Sequence, residues 1–205
     1  KKLYPLSDTH ELAREITSNF QFDDEKNSLA KSPHTWSEKD CLLITYGDTF
    51  LDQKIKPLKN LNSFLTEDLE QSFSMIHILP FFPYSSDDGF AVIDYEKVRN
   101  DLGNWEDIRK ISNSFKIVGD VVINHISSQH NWFQQFIESK DPGKNFIKTC
   151  SSETDVTKVT RPRNSDLLSE TDTADGKKLV WCTFSHDQID LDFSRPAMLM
   201  EFIKL

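Results

Sequence analysis

Three short apolar runs, each broken by glycine or proline, dominate the first 125 residues. Cys41-Leu42-Leu43-Ile44-Thr45-Tyr46 stops at Gly47-Asp48, Met75 to Leu79 stops at Pro80, and Phe115 to Ile123 is nearly continuous and interrupted by Gly119-Asp120. Runs of this length between turn residues predict buried strands. Between them, apolar residues recur at three- and four-residue spacing. Leu61, Phe64, Leu65 and Leu69 predict a helix over 58–72, and Trp105, Ile108 and Ile111 predict another, capped by Asn104. Apolar strands alternating with helices predict an α/β fold whose parallel strands are covered on both faces.

The rhythm is weaker on either side. Asp8 and Glu11 form a capping pattern for a helix carrying Leu12 and Ile16, and the charged stretch 23–37 reads as loop. Cys41, at the start of an apolar run, is expected to be a small buried side chain. Residues 126–180 are rich in Ser, Thr, Asp and Lys and show no convincing barrel element. About 55 residues is too long for a simple connection, which predicts an inserted subdomain. Val180 to Phe184 reads as a short strand, and Ser194 as the cap of a last helix carrying Met198, Leu199, Phe202 and Ile203.

Composition narrows the function classes. Thirty-three acidic against 24 basic residues give a net charge of −9, which argues against a nucleic-acid partner needing a basic face. No apolar run is long enough to span a membrane. The N-terminus KKLYPLSDTH lacks the apolar stretch of a signal peptide. Three cysteines without CxxC spacing argue against a disulfide framework or zinc site and point to the reducing cytoplasm. Lys1 rather than Met opens the chain and an apolar stretch closes it, so the reading is of a piece of a longer protein.

In parallel α/β folds, ligands bind beyond the C-terminal ends of strands. Three polar clusters are predicted there: Asp87-Asp88-Gly89-Phe90, Asp120-x-x-x-Asn124-His125, and Arg161-Pro162-Arg163. If the third strand ran through 124, Asp120 and Asn124 would share one face. Such polar groups need hydrogen bonds when buried, so they mark either a polar site or satisfied structural groups.

ILPFFPYSSDDGFAVIDYEKV, then LGNWEDI, DVVINHIS and VWCTFSHDQIDLDF, in that order, resemble the sucrose phosphorylase branch of the α-amylase family over residues 38–205. The D-x-x-x-N-H motif alone is moderately specific. The PFFPYSSDDGF loop together with RPR and WCTFSHDQIDLDF is far more so. The SSDDGF form is closer to relatives acting on other α-glucosides, such as glucosylglycerate. Thr160, where the sucrose enzymes carry Tyr before Arg-Pro-Arg, puts sucrose itself in doubt as substrate.

The resemblance implies the N-terminal part of a (β/α)8 barrel. Residues 1–37 would be a leader, 38–125 the first three βα units, 126–180 the insertion and 181–205 a return to the barrel before the fourth strand. It implies that His125 binds a glucosyl hydroxyl, against the alternative of a core histidine. Asp87 would bind glucosyl hydroxyls, the alternative being a turn residue at a loop tip, and Phe90 would wall the glucose pocket or simply pack in the core. Phe184 and Gln188 would line the cleavage and acceptor subsites or pack a loop. Arg163 would meet phosphate through its planar guanidinium, or form a surface ion pair. Asp120 and Asn124 would support the site from behind. Asn124 matches a calcium ligand of amylases, but this branch implies no metal and no cofactor.

By the same resemblance, the reaction passes a glucosyl group from an α-glucoside to phosphate through a covalent intermediate. The nucleophilic Asp, the acid/base Glu and a stabilising Asp would lie beyond Leu205, leaving these 205 residues inactive alone. Three rivals stay open: a hydrolase or transglucosidase on the same fold, a non-catalytic carbohydrate-binding remnant, and a metal site built from His125, His130 and Asp120.

Overall fold

The computed structural model describes residue 4 and residues 8–19, 37–161 and 163–205. Pro162 and most of the charged stretch 23–37 lie outside the described residues. The chain divides into two compact units, one of residues 33–122 and the other of residues 1–32 with 123–205.

In the first unit, β1 (Leu42–Thr45), β2 (Met75–Ile78) and β3 (Lys116–Gly119) form a parallel sheet in that order. Leu42 pairs with Met75 and Met75 with Lys116, so the three strands run in register. Between β1 and β2 lies α1 (Pro57–Phe64), which starts on a proline and continues into a π-helical turn, Leu65–Leu69. Proline suits a first helical turn because its missing N–H would have no partner there. Between β2 and β3 lies α2 (Trp105–Ser112). The Asn104 side chain accepts from the N–H groups of Glu106 and Asp107, and the Asp107 carboxylate accepts from the Asn104 N–H, completing a capping box.

Side chains alternate along a strand, so Leu43, Ile76, Ile78 and Ile117 share a face. That face meets Leu58, Leu61, Leu65, Ile108 and Ile111 of the helices in one core cluster. The opposite face carries Leu42 and Ile44, 40% and 58% exposed. The expected cover on both faces is therefore found on one. Cys41 is exposed rather than buried. It precedes β1, and its carbonyl accepts from Ser74 and Met75 N–H, which anchors its backbone but not its thiol.

The second unit is mostly antiparallel. A further helix, Thr9–Asn19, opens on Asp8, whose carboxylate accepts from the N–H groups of His10 and Glu11. β4 (His125–Ser127) pairs with β8 (Gln188–Asp190), and β5 (Thr149–Cys150), β7 (Gly176–Trp181) and β6 (Leu168–Thr173) form a second sheet. No apolar pattern marks β6, because exposed Glu170 and Asp172 alternate with half-buried Ser169, Thr171 and Thr173, so neither face reads as apolar. A short helix, Asn131–Ile137, buries Trp132, Phe133 and Phe136 and is capped by His130 Nδ1, which accepts from Trp132 N–H at 3.0 Å. The last helix, Pro196–Lys204, has Arg195 rather than Ser194 at its cap; Ser194 instead bonds Asp192.

Among the described residues, no helix is long and apolar enough to cross a membrane, and no cluster of three His, Cys, Asp or Glu could hold a metal ion.

Candidate functional site

In the first unit the chain leaves β2 through Pro80 and enters the loop 84–92, closed by a bridge between Tyr84 and Val92. At its tip, Asp87, Asp88 and Gly89 all have positive φ, at 57°, 49° and 108°. Non-glycine residues rarely adopt this region, and Asp is among the few that tolerate it. Phe90 N–H closes the turn on Asp87 C=O at 3.0 Å. Asp87 is exposed and Phe90 half-buried.

Arg99 underpins this loop, and its sequence context offered no sign of that. Its guanidinium reaches Asp48 and Asp101, both at 2.7 Å, and lies 5.2 Å from the Tyr84 ring centre. A polar cavity of about 250 Å³ is lined by Tyr46, Asp48, Tyr84, Asp88 and Arg99 among others.

β3 ends at Gly119, so the alternation expected to place Asp120 and Asn124 on one strand face does not extend to them. Asp120 is hydrogen-bonded to His77 on β2, Nε2 to Oδ2 2.8 Å. Asn124 belongs to the second unit and is exposed; its carbonyl accepts from Leu191 N–H.

The second unit brings three of the expected residues together. His125 on β4 and Gln188 on β8 are 4% and 1% exposed, with Gln188 Nε2 3.1 Å from His125 Nε2. Ser185 Oγ donates to Gln188 Oε1 at 2.9 Å. The Gln188 amide and the His125 ring thus share one hydrogen bond inside the protein. The Phe184 ring lies against His125, centroids 4.9 Å apart and tilted by 57°. A buried polar pair beside an aromatic face has the makings of a sugar-hydroxyl reader, since hydroxyls need placed donors and acceptors and C–H faces need apolar cover.

The loop carrying Phe184 is held by residues that pattern reading passed over. Thr183 donates to Asp190 twice, N to Oδ1 at 3.0 Å and Oγ1 to Oδ2 at 2.5 Å. Burial holds the Asp190 carboxyl above the ordinary range, against the two Thr183 bonds that favour its charged form. Arg161 donates to the carbonyls of Cys182 and Thr183, both at 3.3 Å. Of the two arginines, the backbone thus engages Arg161, while Arg163 is exposed.

The catalytic-domain profile of the α-amylase family matches residues 69–204. The glucosylglycerate phosphorylase of Allomeiothermus silvanus is 46% identical over 169 residues, 82% of this chain and 30% of that protein. That of Spirochaeta thermophila is 41% identical over 204 residues, 97% of this chain and 34% of that protein. The crystal structure of sucrose 6F-phosphate phosphorylase from Thermoanaerobacter thermosaccharolyticum superposes with a TM-score of 0.73 at 29% identity, covering 83% of this chain and 37% of that one. The chain therefore spans about a third of the length of the curated relatives it matches. Its βαβαβ order and inserted antiparallel segment are those of a partial (β/α)8 barrel, and the chain belongs to the α-amylase family.

Proposed function

We propose that this chain is the substrate-recognising N-terminal part of a retaining α-glucoside phosphorylase, with glucosylglycerate as the preferred glucosyl donor. The observation that carries the reading is the buried His125–Gln188 pair beside Phe184, in which His125 closes a D-x-x-x-N-H motif. The relatives at 46% and 41% identity, both glucosylglycerate phosphorylases, support this donor over sucrose.

The reaction exchanges one acceptor for another. The bond from C1 of glucose to glycerate oxygen breaks as a carboxyl of the enzyme protonates that oxygen and a second carboxylate takes C1; phosphate oxygen then displaces that carboxylate and gives its proton back to the first, yielding α-glucose 1-phosphate and glycerate. The share of residues 1–205 is recognition: His125 and Gln188 bond glucosyl hydroxyls and Phe184 covers the sugar. Asp87 and Phe90 on the loop 84–92 also contact substrate, and Arg163 meets phosphate through its fixed pair of N–H donors. The setting is the cytoplasm, which fits three free thiols.

The test is an assay of the intact enzyme carrying residues 1–205 with glucosylglycerate, with and without inorganic phosphate. Phosphate-dependent release of α-glucose 1-phosphate is the expected result. Release of free glucose at a rate indifferent to phosphate would overturn it in favour of a hydrolase.

A further inference from the structure

β8 runs only from Gln188 to Asp190, and with a period of two both side chains project from the same face of the strand. Gln188 meets His125 directly. Asp190, paired in register with His125 across the antiparallel ladder, takes both Thr183 bonds. Thr183 is the residue immediately before Phe184, whose ring lies against His125. One three-residue strand therefore touches the histidine by one side chain and sets the backbone leading to its aromatic neighbour by another.

We infer that Asp190 is a positioning residue: through Thr183 it fixes the Phe184 ring over His125, so that ring, imidazole and the Gln188 amide are held as one preformed glucosyl-binding unit. This rests on the recognition role proposed for His125, Gln188 and Phe184.

Three further bonds converge on the same short segment. Trp181 Nε1 donates to Thr183 Oγ1 at 3.1 Å, and Arg161 donates to the carbonyls on either side of the Thr183 amide nitrogen. Ser185, just past Phe184, bonds Gln188 by side chain and accepts its backbone N–H. The loop 182–188 is thus tied at both ends of Phe184 to the strand that carries Gln188. Asp190 is the only charged acceptor among these ties, and hydrogen bonds to a charged group are the strong ones. Misplacing a recognition group by about 1 Å costs on the order of a hundredfold in rate, so a tie of this kind is worth keeping for function as well as for stability.

The substitutions are chosen to separate geometry from folding. Thr183→Val keeps the side-chain shape and removes the hydroxyl. Thr183→Ser restores the hydroxyl, and Asp190→Asn keeps an acceptor for the Thr183 N–H and a donor for its Oγ1. In the intact enzyme, Thr183→Val is expected to raise KM for the glucoside about tenfold or more with little change in KM for phosphate, whereas Thr183→Ser and Asp190→Asn, which keep the contact, are expected to leave it within about threefold of the unmodified enzyme. A Thr183→Val enzyme with lowered melting temperature and unchanged glucoside KM would overturn the inference, because the contact would then serve stability alone. A crystal structure of the Thr183→Val enzyme gives a readout independent of activity. Displacement of the Phe184 ring from His125 supports the inference, and an unmoved ring overturns it. Absence of phosphorolysis in the unmodified enzyme sinks the functional reading instead, and the ring position still decides the positioning role.

Discussion

His77 and Asp120 are joined across the parallel sheet, Nε2 to Oδ2 at 2.8 Å, with side chains 18% and 24% exposed. His77 sits on β2 and Asp120 one residue past β3, so the first acid of the D-x-x-x-N-H motif is held by the neighbouring strand. A hydrogen bond to a charged, half-buried group contributes about 1.5–3 kcal/mol. His77→Ala is expected to lower stability by about that amount and Asp120→Asn by less, because the amide oxygen still accepts a bond. Urea midpoints of the two variants and of the double variant check this. Additive losses would mean that the pair is not coupled.

Gly89 has φ +108°, and a Cβ there would lie 2.7 Å from Pro80 O and 2.8 Å from Pro80 Cβ. The neighbours are backbone and a proline ring, which cannot swing aside. Gly89→Ala is expected to cost about 2–3 kcal/mol and to loosen the loop that carries Asp87 and Phe90. Faster amide exchange over residues 84–92 is the measurement, and unchanged exchange would count against the strain.

The three thiols should differ sharply in reactivity. Cys41 is exposed, whereas burial pushes the Cys182 thiol up to about 12, with the negative charge of Asp190 adding to the effect. The thiolate is the reactive form. A thiol reagent at pH 8 should therefore label Cys41 in the native protein within minutes and leave Cys182 intact until denaturant is added. Peptide mapping by mass spectrometry reads this out, and early labelling of Cys182 would contradict its burial.

Asp190 makes the pH dependence specific. Its native pKa is raised by burial above the ordinary 3.8, so the folded state binds its proton more tightly than the unfolded chain. Its contribution to stability is most favourable below 3.8, falls as pH rises through the native pKa, and is constant above that. Asp190→Asn should remove this decline, leaving the variant at least as stable as the unmodified protein at neutral pH. Chemical denaturation across pH 3 to 7 compares the two, and parallel curves would mean that burial of the carboxyl is not costly.

Much of the first unit could be read from the chain. The βαβαβ order follows from apolar runs too short for helices and from the Leu61, Phe64, Leu65 spacing, and the Asn104 cap from its position before Trp105. The motif residues His125, Gln188 and Phe184 were recognisable because family resemblance attaches to contiguous text. Their supports were not. Asp190 serves Thr183 from seven residues away, His77 serves Asp120 across 43, and Arg99 serves Asp48 across 51.

Sequence alone determined the class of the fold, the order of its parallel strands and the identity of the candidate recognition residues, because these rest on local periodicity and on motifs. Tertiary structure decided that β3 stops before Asp120, that Cys41 and one sheet face are exposed, and that polar text at 149–181 pairs into an antiparallel sheet. It alone decided which polar groups meet. Hydrogen-bond partners are set by strand register and loop closure, and neither leaves a periodic trace in the order of residues along the chain.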